Sequence, residues 1–356
     1  MAAPDRMNDF LSAPNPVDGG LRHARRSRRG TGFVAGIVVG ALLLVGGGAT
    51  AAWFGYRASL DDNVERLDAF EGIDPSTRPS AAPVEGPTAP VNILVLGSDS
   101  RISAGDPSAW EAGAQRTDAI MLVHLSADRQ SAAAISIPRD SWVPIPGHGE
   151  AKINAAFSYG GPSLMIQTVE DLTGVRIDHF AVTDFESFTT LTDSLDGVEI
   201  TVPDGAGGSV RQAMTGEEAL AFARERHALA NGDFGRVQRQ QAWMRAIVAK
   251  ANNNRSDPLK MASFLGAVTS SVAVDEGFTF DRMQELFQSA QDISTKDITF
   301  MTAPYSGTGR SADGQSIVVL DRATFDPLMQ AVAADELPDF VAANEANMDV
   351  LPAVVK

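Results

Sequence analysis

The sequence predicts an α/β fold: a three-layer α/β/α domain with a central mixed sheet, preceded by a single N-terminal transmembrane helix. Short apolar runs of strand length alternate with longer helical patterns, as in a sheet with helices on both faces. Several connections are too short for parallel crossovers, so some neighbouring strands must be antiparallel. An uncharged run at Phe33–Phe54 predicts the membrane helix.

The composition indicates a folded, acidic chain of 356 residues, 44% hydrophobic and 21% charged, with a formal net charge of −16. Residues 1–31 differ from this average, because they hold six arginines and only three aspartates. An acidic domain repels the phosphate backbone of nucleic acid, which disfavours a general DNA-binding role. The chain has no cysteine, which excludes disulfides and thiolate metal sites without identifying the compartment.

The Phe33–Phe54 run has 22 residues, enough to cross a hydrocarbon core of roughly 30 Å. Trp53 and Tyr56 suit the interfacial aromatic belt at its far end. A cleaved signal peptide is the alternative, but its apolar region is normally about 7–15 residues and follows a shorter leader. The arginine cluster Arg22–Arg29 precedes the span, so the positive-inside rule predicts a cytoplasmic N-terminus and an extracytoplasmic remainder.

The segments after the span differ in composition. Residues 57–73 have the pattern of a short stalk helix, and residues 74–90 are rich in proline and small polar residues, as in an extended linker. The predicted organisation is a cytoplasmic basic tail (1–31), a transmembrane helix (32–55), a stalk and Pro-rich linker (56–90), a folded extracytoplasmic domain (91–335) and a C-terminal tail (336–356).

Within residues 91–335, short apolar runs bounded by turn residues predict the strands of the sheet. These runs are Val91–Leu96, Ala119–Leu125, Ala132–Ile137, His179–Thr183, Val198–Val202, Ile298–Thr302 and Gln315–Leu320. Helical periodicity predicts the elements between them, and a capping box of Thr215 and Glu218 opens one of these helices. The predicted helices are Pro162–Leu172, Phe185–Leu195, Glu217–Arg224, Phe234–Asn252, Pro258–Ser271, Phe280–Ala290 and Arg322–Ala334.

Acidic and basic side chains follow or precede the first three predicted strands. Asp99 and Arg101 come after the first strand, Arg116 and Asp118 lead into the second, and Arg139 with Asp140 leaves the third. Ligands in open α/β sheets collect at the carboxyl ends of strands. Converging carboxylates with no thiol nearby favour a hard cation, Mg²⁺ or Mn²⁺. A single aspartate is also a common cap or turn residue, so each alone is open to that reading.

A later segment concentrates arginines near a predicted helix start. Asp233 suits the N-cap of that helix, and Arg236, Arg239 and Gln240 share one face because they are three or four residues apart. A helix start and forked guanidinium donors together suit phosphate. The preceding helix ends with Arg224 and Arg226, which predict a second clamp. The alternative is a solvated helix face with surface ion pairs.

Five segments then resemble a known family. NILVLGSDSR, RTDAIMLVHL, SIPRDSWVPIPGHGEAKINAAFSYGG, LTGVRIDHF and FARERHALANGDFGRVQRQQ, within residues 91–245, are similar in order and content to the LytR-CpsA-Psr family of cell-wall glycopolymer transferases. Ala119 and Ser141 stand where threonine is frequent in that family. Residues 255–335 fit the size of the family domain but carry no motif.

The resemblance implies a site. By position, Asp99 and Asp118 match the magnesium ligands of the family. The groups around the pyrophosphate are matched by Arg116, Arg139, Lys152, Arg224, Arg226, Arg236 and Gln240. Catalysis would rest on Asp233, Arg236 and Arg139, with Asp233 either a base or a residue that orients an arginine. The family also implies an apolar tunnel between sheet and helices for the lipid tail.

The function implied by the resemblance is transfer of a glycopolymer from a polyprenyl-pyrophosphate carrier to a peptidoglycan hydroxyl, with Mg²⁺ (or Mn²⁺) as cofactor and pyrophosphatase activity as a side reaction. A non-catalytic polyprenyl-phosphate carrier or sensor is one alternative. A membrane-bound transcriptional attenuator is another, opposed by a short cytoplasmic tail without a helix-turn-helix pattern. The expected partners are the lipid-linked donor, peptidoglycan and membrane lipid, with arabinogalactan, teichoic acid or capsule as the polymer.

Overall fold

The structure is a computed structural model that describes residues 59–82, 88–98, 117–225 and 233–355, which belong to one compact unit, Tyr56–Lys356. The predicted tail (1–31) and transmembrane segment (32–55) lie outside these ranges. Across the residues that are described, no helix is both long and apolar enough to cross a membrane.

Fourteen strands and eight α-helices lie entirely within the described residues, and residues 59–62 are also helical. The strands are β1 Glu65–Leu67, β2 Val91–Ser98, β3 Thr117–Leu125, β4 Ala132–Ser136, β5 Trp142–Ile145, β6 Gly149–Lys152, β7 His179–Asp184, β8 Val198–Pro203, β9 Ser209–Met214, β10 Val272–Asp275, β11 Ile298–Thr302, β12 Tyr305–Arg310, β13 Ser316–Leu320 and β14 Asp349–Val350. The helices are α1 Ala155–Thr173, α2 Phe185–Ser194, α3 Gly216–Arg224, α4 Asp233–Asn254, α5 Pro258–Ser271, α6 Phe280–Ser289, α7 Arg322–Ala333 and α8 Leu337–Asn344.

Eight strands form the central sheet in the order β1-β10-β7-β2-β3-β4-β11-β14. The pairs β1/β10, β7/β2 and β4/β11 are parallel, and the other neighbours are antiparallel. This confirms the predicted mixed sheet. The predicted strands at Val198–Val202 and Gln315–Leu320 lie instead in separate hairpins, β8–β9 and β12–β13.

Helices cover both faces of the sheet, as predicted. One core contains Leu94, Leu122 and Phe180 of the central strands together with side chains of α1 and α7. The other contains Met121, Ala134 and Phe300 with side chains of α2, α3, α4 and α5. Successive strand residues point to opposite faces, so these two sets follow from the alternation along β2, β3, β4, β7 and β11.

The folded unit extends beyond the predicted bounds of 91–335 at both ends. Strand β1 lies in the predicted stalk and pairs with β10 at the edge of the sheet. Beyond residue 335, β14 pairs with β11, and Leu351 and Val355 are buried. The sequence does not reveal these elements because strands of two or three residues are too short to show a period.

Several central strands begin or end at the same end of the sheet. Strand β2 ends there at Ser98, opposite Thr117 at the start of the antiparallel β3. Strand β4 ends there at Ser136, paired with Thr302 at the end of β11. Asp118, near the start of β3, and Arg139, three residues beyond β4, are therefore brought together.

Candidate functional site

Helix α4 is fixed over the strand ends by a buried side chain. Gln241 donates from Nε2 to Ser136 Oγ at 2.9 Å and to the Met301 carbonyl at 2.8 Å, and it has no exposed surface. These two bonds connect the helix to β4 and β11. The first turns of α4, which carry Arg236 and Gln240, therefore lie at the end of the sheet where β4 and β11 end.

Two arginines from distant parts of the chain meet one carboxylate. Arg139, which follows β4, donates from a terminal guanidinium nitrogen to Asp118 Oδ1, and Arg236 of α4 lies 3.5 Å from the same oxygen. Arg236 is only 2% exposed and Asp118 is 8% exposed. Two guanidinium groups are thus brought to one carboxylate where the strands end, and forked guanidinium donors match phosphate oxygens.

Lys152 lies next to this group and is held by the hairpin β5–β6. Its ammonium nitrogen is 3.1 Å from Asp140 Oδ1. Two backbone bonds join the hairpin to the segment after β4: Ile153 donates to the Ser141 carbonyl at 2.8 Å, and Asn154 donates to the Arg139 carbonyl at 3.2 Å. Asp140, one of the three predicted acids, thus binds a lysine in this structure.

Gln240 adds an amide on the same face of α4 as Arg236, four residues earlier. The residue is 5% exposed, and its Nε2 has no hydrogen-bond partner within the described residues. A buried donor without an acceptor costs about 1–3 kcal/mol. A bound phosphate oxygen would supply the missing acceptor.

Arg239 attaches the preceding helix to α4. Its guanidinium carbon lies 4.5 Å above the Phe222 ring, and it donates to the Phe222 carbonyl at 3.2 Å. Burial lowers the pKa of Arg239 from its ordinary value. The contact holds the last turn of α3, where Arg224 is exposed, against the helix that carries Arg236. Arg239 therefore has a positioning role here.

Not all of the predicted site residues lie within the described ranges. Asp99, Arg101, Arg116 and Arg226 lie outside the described residues, and for Asp233 only the backbone at the start of α4 is described. In the described ranges, no group of three acidic or histidine side chains is arranged to hold a metal ion.

The donor set nevertheless fits magnesium in part. Asp118 offers a hard carboxylate at the strand edge, and such an oxygen is what Mg²⁺ requires. A carboxylate has about four lone-pair sites, so it can accept from arginine and still bind a cation. Magnesium commonly uses one or two carboxylates and completes its shell with water and substrate phosphates.

A partly accessible apolar surface lies beside the polar group. On the sheet face that points to α4 and α5, Val95, Val123 and Ala181 of the central strands are only partly buried. On the opposite face, Leu94, Leu122 and Phe180 have no exposed surface. Central strands covered by helices are normally buried on both faces, so space remains between the sheet and these helices.

Two features of this region were not predicted from the sequence. Gln241 bonds to Ser136 and Met301, which lie 105 and 60 positions away, and nothing in the local sequence distinguishes Gln241 from Gln240 beside it. Tyr159 stacks on His148 with ring centroids 4.8 Å apart. The Gly160-Gly161-Pro162 run directly after Tyr159 interrupts a helical pattern, and it is the sequence feature that indicates an unusual position for Tyr159.

These features define a class: a mixed α/β domain that gathers arginine, lysine and amide groups at the ends of its central strands. The chain matches the model of the LytR_cpsA_psr family over residues 61–333 and belongs to that family. The predicted family resemblance is therefore confirmed.

Curated relatives carry cell-wall and regulatory names. Cell wall biosynthesis protein LcpA of Corynebacterium glutamicum is 30% identical over 277 residues, covering 65% of this chain and 53% of LcpA. Probable cell wall biosynthesis protein LcpB of the same organism is 32% identical, covering 73% of this chain and 63% of LcpB. Regulatory protein MsrR of Staphylococcus aureus is 31% identical, covering 64% and 70%. The chain thus spans about half the length of LcpA.

Solved structures share the fold. TagT bound to LI-WTA has a TM-score of 0.54 and 24% identity, covering 76% of this chain and 96% of TagT. Protein gbs0355 from Streptococcus agalactiae has a TM-score of 0.58 and 21% identity, covering 69% and 88%. Both likenesses support the mixed α/β architecture described above.

Proposed function

We propose that the protein is a membrane-anchored phosphotransferase that moves a glycopolymer from a polyprenyl-pyrophosphate carrier to a hydroxyl of peptidoglycan. The observation that carries this proposal is the meeting of Arg139 and Arg236 at Asp118, beside the partly accessible apolar face of the sheet. One site would hold the charged end of a lipid carrier, and the adjoining space would hold its chain.

The pyrophosphate would bind to the donors that converge on the strand edge. Arg139 and Arg236 offer forked guanidinium groups, Lys152 adds a charge, and the Gln240 amide gains the acceptor it lacks. Arg116, Arg224 and Arg226 are expected to complete the set. In a site with little water, each of these charges interacts more strongly than it would at the surface.

The reaction replaces a phosphoanhydride bond of the donor with a phosphate ester bond to the acceptor. The oxygen of an acceptor hydroxyl attacks the phosphorus that bears the glycan, and the bond from that phosphorus to the bridging oxygen breaks. Polyprenyl phosphate leaves with the bridging oxygen, and a new phosphodiester joins glycan to acceptor. The arginines stabilise the charge that develops on the leaving oxygen. Water in place of the acceptor would give pyrophosphatase activity as a side reaction.

Asp233 would either take the proton of the attacking hydroxyl or orient an arginine. A positioned base is worth about 10²–10⁴-fold in rate. Nearby arginines would make a carboxylate a weaker base, which favours the orienting role. Magnesium, or manganese in its place, would be held by Asp99 and Asp118 and would supply neutralising charge to the phosphate oxygens.

The anchor and the apolar face explain how a lipid donor reaches the site. We expect residues 32–55 to cross the cell membrane once, with the N-terminus in the cytoplasm and the catalytic domain outside. The lipid chain would lie along the face that carries Val95 and Val123. The names of LcpA and of the TagT complex support a cell-wall role, and analysis of wall glycopolymers in a deletion strain would identify the polymer.

The test uses the full chain in detergent with a polyprenyl-pyrophosphate-linked glycan, and it measures release of polyprenyl phosphate by mass spectrometry. We expect release with Mg²⁺ and a loss of about 10²–10³-fold for Arg236→Met or Arg139→Met, the size of effect seen when one charge-stabilising donor is removed. Arg322→Met, at an exposed ion pair on α7, is the matched control. Binding without product in Mg²⁺ or Mn²⁺ would instead indicate a carrier or sensor.

A further inference from the structure

A cavity opens beside the proposed phosphate site. It has a volume of about 420 Å³, and its wall at one end is formed by Arg139, Asp140 and Lys152. Small-molecule sites in proteins are of similar size, about 300–1,000 Å³. The remaining wall is formed by residues that are not part of the proposed phosphate site: Ala151, Asn154, Ala155, Ser158, Tyr159 and Gln315.

The remaining wall carries polar and aromatic side chains of the kinds that bind sugars. Asn154 and Gln315 offer amide donors and acceptors, and Ser158 offers a hydroxyl. Tyr159 is 47% exposed, and its ring is held nearly parallel to His148, at an interplanar angle of 20°. An exposed aromatic ring packs against the C–H face of a pyranose, while amides and hydroxyls bind the sugar hydroxyls.

The backbone conformation directly after Tyr159 fixes the position of this residue. Helix α1 is broken at Gly160 (φ −148°, ψ 23°) and Gly161 (φ 63°, ψ −153°), directly after this residue. A Cβ at Gly160 would lie 2.7 Å from the Leu164 Cβ, so a larger residue cannot occupy that position without a shift. The break separates the first turn, with Ser158 and Tyr159, from the rest of α1, which packs in the core.

The cavity and the apolar space lie on opposite sides of the sheet. Helix α1 contributes Met165, Ile166 and Val169 to the fully buried core face. The partly accessible residues Val95 and Val123 belong to the other face. The phosphate site at the strand ends therefore lies between the two. In phosphoryl transfer the attacking and leaving oxygens are roughly in line, so an acceptor approaches from the side opposite the leaving lipid phosphate.

We infer that this cavity, between the β5–β6 hairpin, the first turn of α1 and Gln315, is a saccharide subsite that binds the sugar ring of the acceptor. The inference rests on the proposed transferase function and specifies its acceptor side. Tyr159 supplies the platform for the ring. Asn154 and Gln315 supply hydrogen bonds, and Lys152 lies where the cavity meets the phosphate site.

The test measures transfer by the full chain with a peptidoglycan disaccharide as acceptor. Tyr159→Ala raises the acceptor KM by about fivefold, the change given by about 1 kcal/mol of lost aromatic contact. Tyr159→Phe retains the ring and restores the KM. The donor KM of both variants equals that of the control Phe287→Ala, which removes a ring of similar exposure, 44%, from α6.

Three results would overturn the inference. The first is an unchanged acceptor KM in Tyr159→Ala and Gln315→Ala. The second is a raised donor KM with an unchanged acceptor KM, which would place the donor glycan in the cavity. If the wild type releases no polyprenyl phosphate, the proposed function fails, and calorimetry with the disaccharide alone then tests the cavity. The third result is equal binding of the disaccharide by wild type and Tyr159→Ala in this calorimetric measurement.

Discussion

Arg78 is the residue whose replacement most sharply tests the extended N-terminal boundary of the domain. It lies in the Pro-rich segment that the sequence predicts as a linker. In the structure its Nε is 3.1 and 3.0 Å from the two carboxylate oxygens of Glu170, and a terminal nitrogen is 2.6 Å from one of them. The Glu170 side chain is 2% exposed, and its other partner is the Ile177 amide at 2.8 Å.

Arg78→Met keeps much of the side-chain volume but leaves Glu170 charged and buried, with one hydrogen bond from the backbone. Removing one partner of a buried ion pair costs about 3–5 kcal/mol. The variant also loses the contact between the guanidinium and the Phe70 ring, 4.7 Å from its centroid. We therefore expect the free energy of unfolding to fall by about 3–5 kcal/mol, measured by urea denaturation of the compact unit.

Two further variants make this prediction specific. Arg322 also has an ion pair, 2.9 Å to Asp326, and a ring contact with Phe325, but both partners of the pair are exposed, so Arg322→Met should cost no more than about 1 kcal/mol. Glu170→Gln in the Arg78→Met background should recover part of the loss, because it removes the buried charge. Equal, small effects of Arg78→Met and Arg322→Met would refute the reasoning and support an unstructured linker.

Three other predictions concern stability. Gly197→Ala should lower the free energy of unfolding by about 1–3 kcal/mol, because φ is +82° and a Cβ would lie 2.7 Å from a carbonyl oxygen. Gly205→Ala, with φ +76° and open space around the Cβ, should lower it by less when both variants are compared by thermal denaturation. Burial raises the pKa of Asp178, so wild-type stability falls as pH rises through that pKa. Asp178→Asn should therefore raise Tm near neutral pH and have little effect near pH 3. Gln241→Leu should lower the unfolding free energy by about 1–3 kcal/mol and reduce polyprenyl phosphate release, whereas unchanged turnover would show that α4 needs no such tie.

The local features of the site follow from short-range patterns in the sequence. The spacing of Arg236 and Gln240 predicts that they share one face of a helix, and the structure has that helix. The capping box of Thr215 and Glu218 is present in the structure. Such features depend on neighbours within four residues, which is why propensity and periodicity reveal them.

Features that depend on distant partners could not be predicted. The short connection between β3 and β4 predicts an antiparallel pair, but no local pattern specifies that Arg139 and Arg236 both approach Asp118. The proline-rich composition around Arg78 predicts a linker, but composition does not tell whether such a segment packs against a buried glutamate. The strands β1 and β14 are too short to show a pattern, so the sequence does not reveal that the sheet extends beyond residues 91–335.

A crystal structure of the Tyr56–Lys356 unit with a polyprenyl pyrophosphate and Mg²⁺ tests the central claim most directly. We predict phosphate oxygens within hydrogen-bond distance of Arg139, Arg236 and the Gln240 amide, and a lipid chain along the sheet face that carries Val95 and Val123. A lipid bound elsewhere, with the Gln240 amide still lacking an acceptor, would contradict the account.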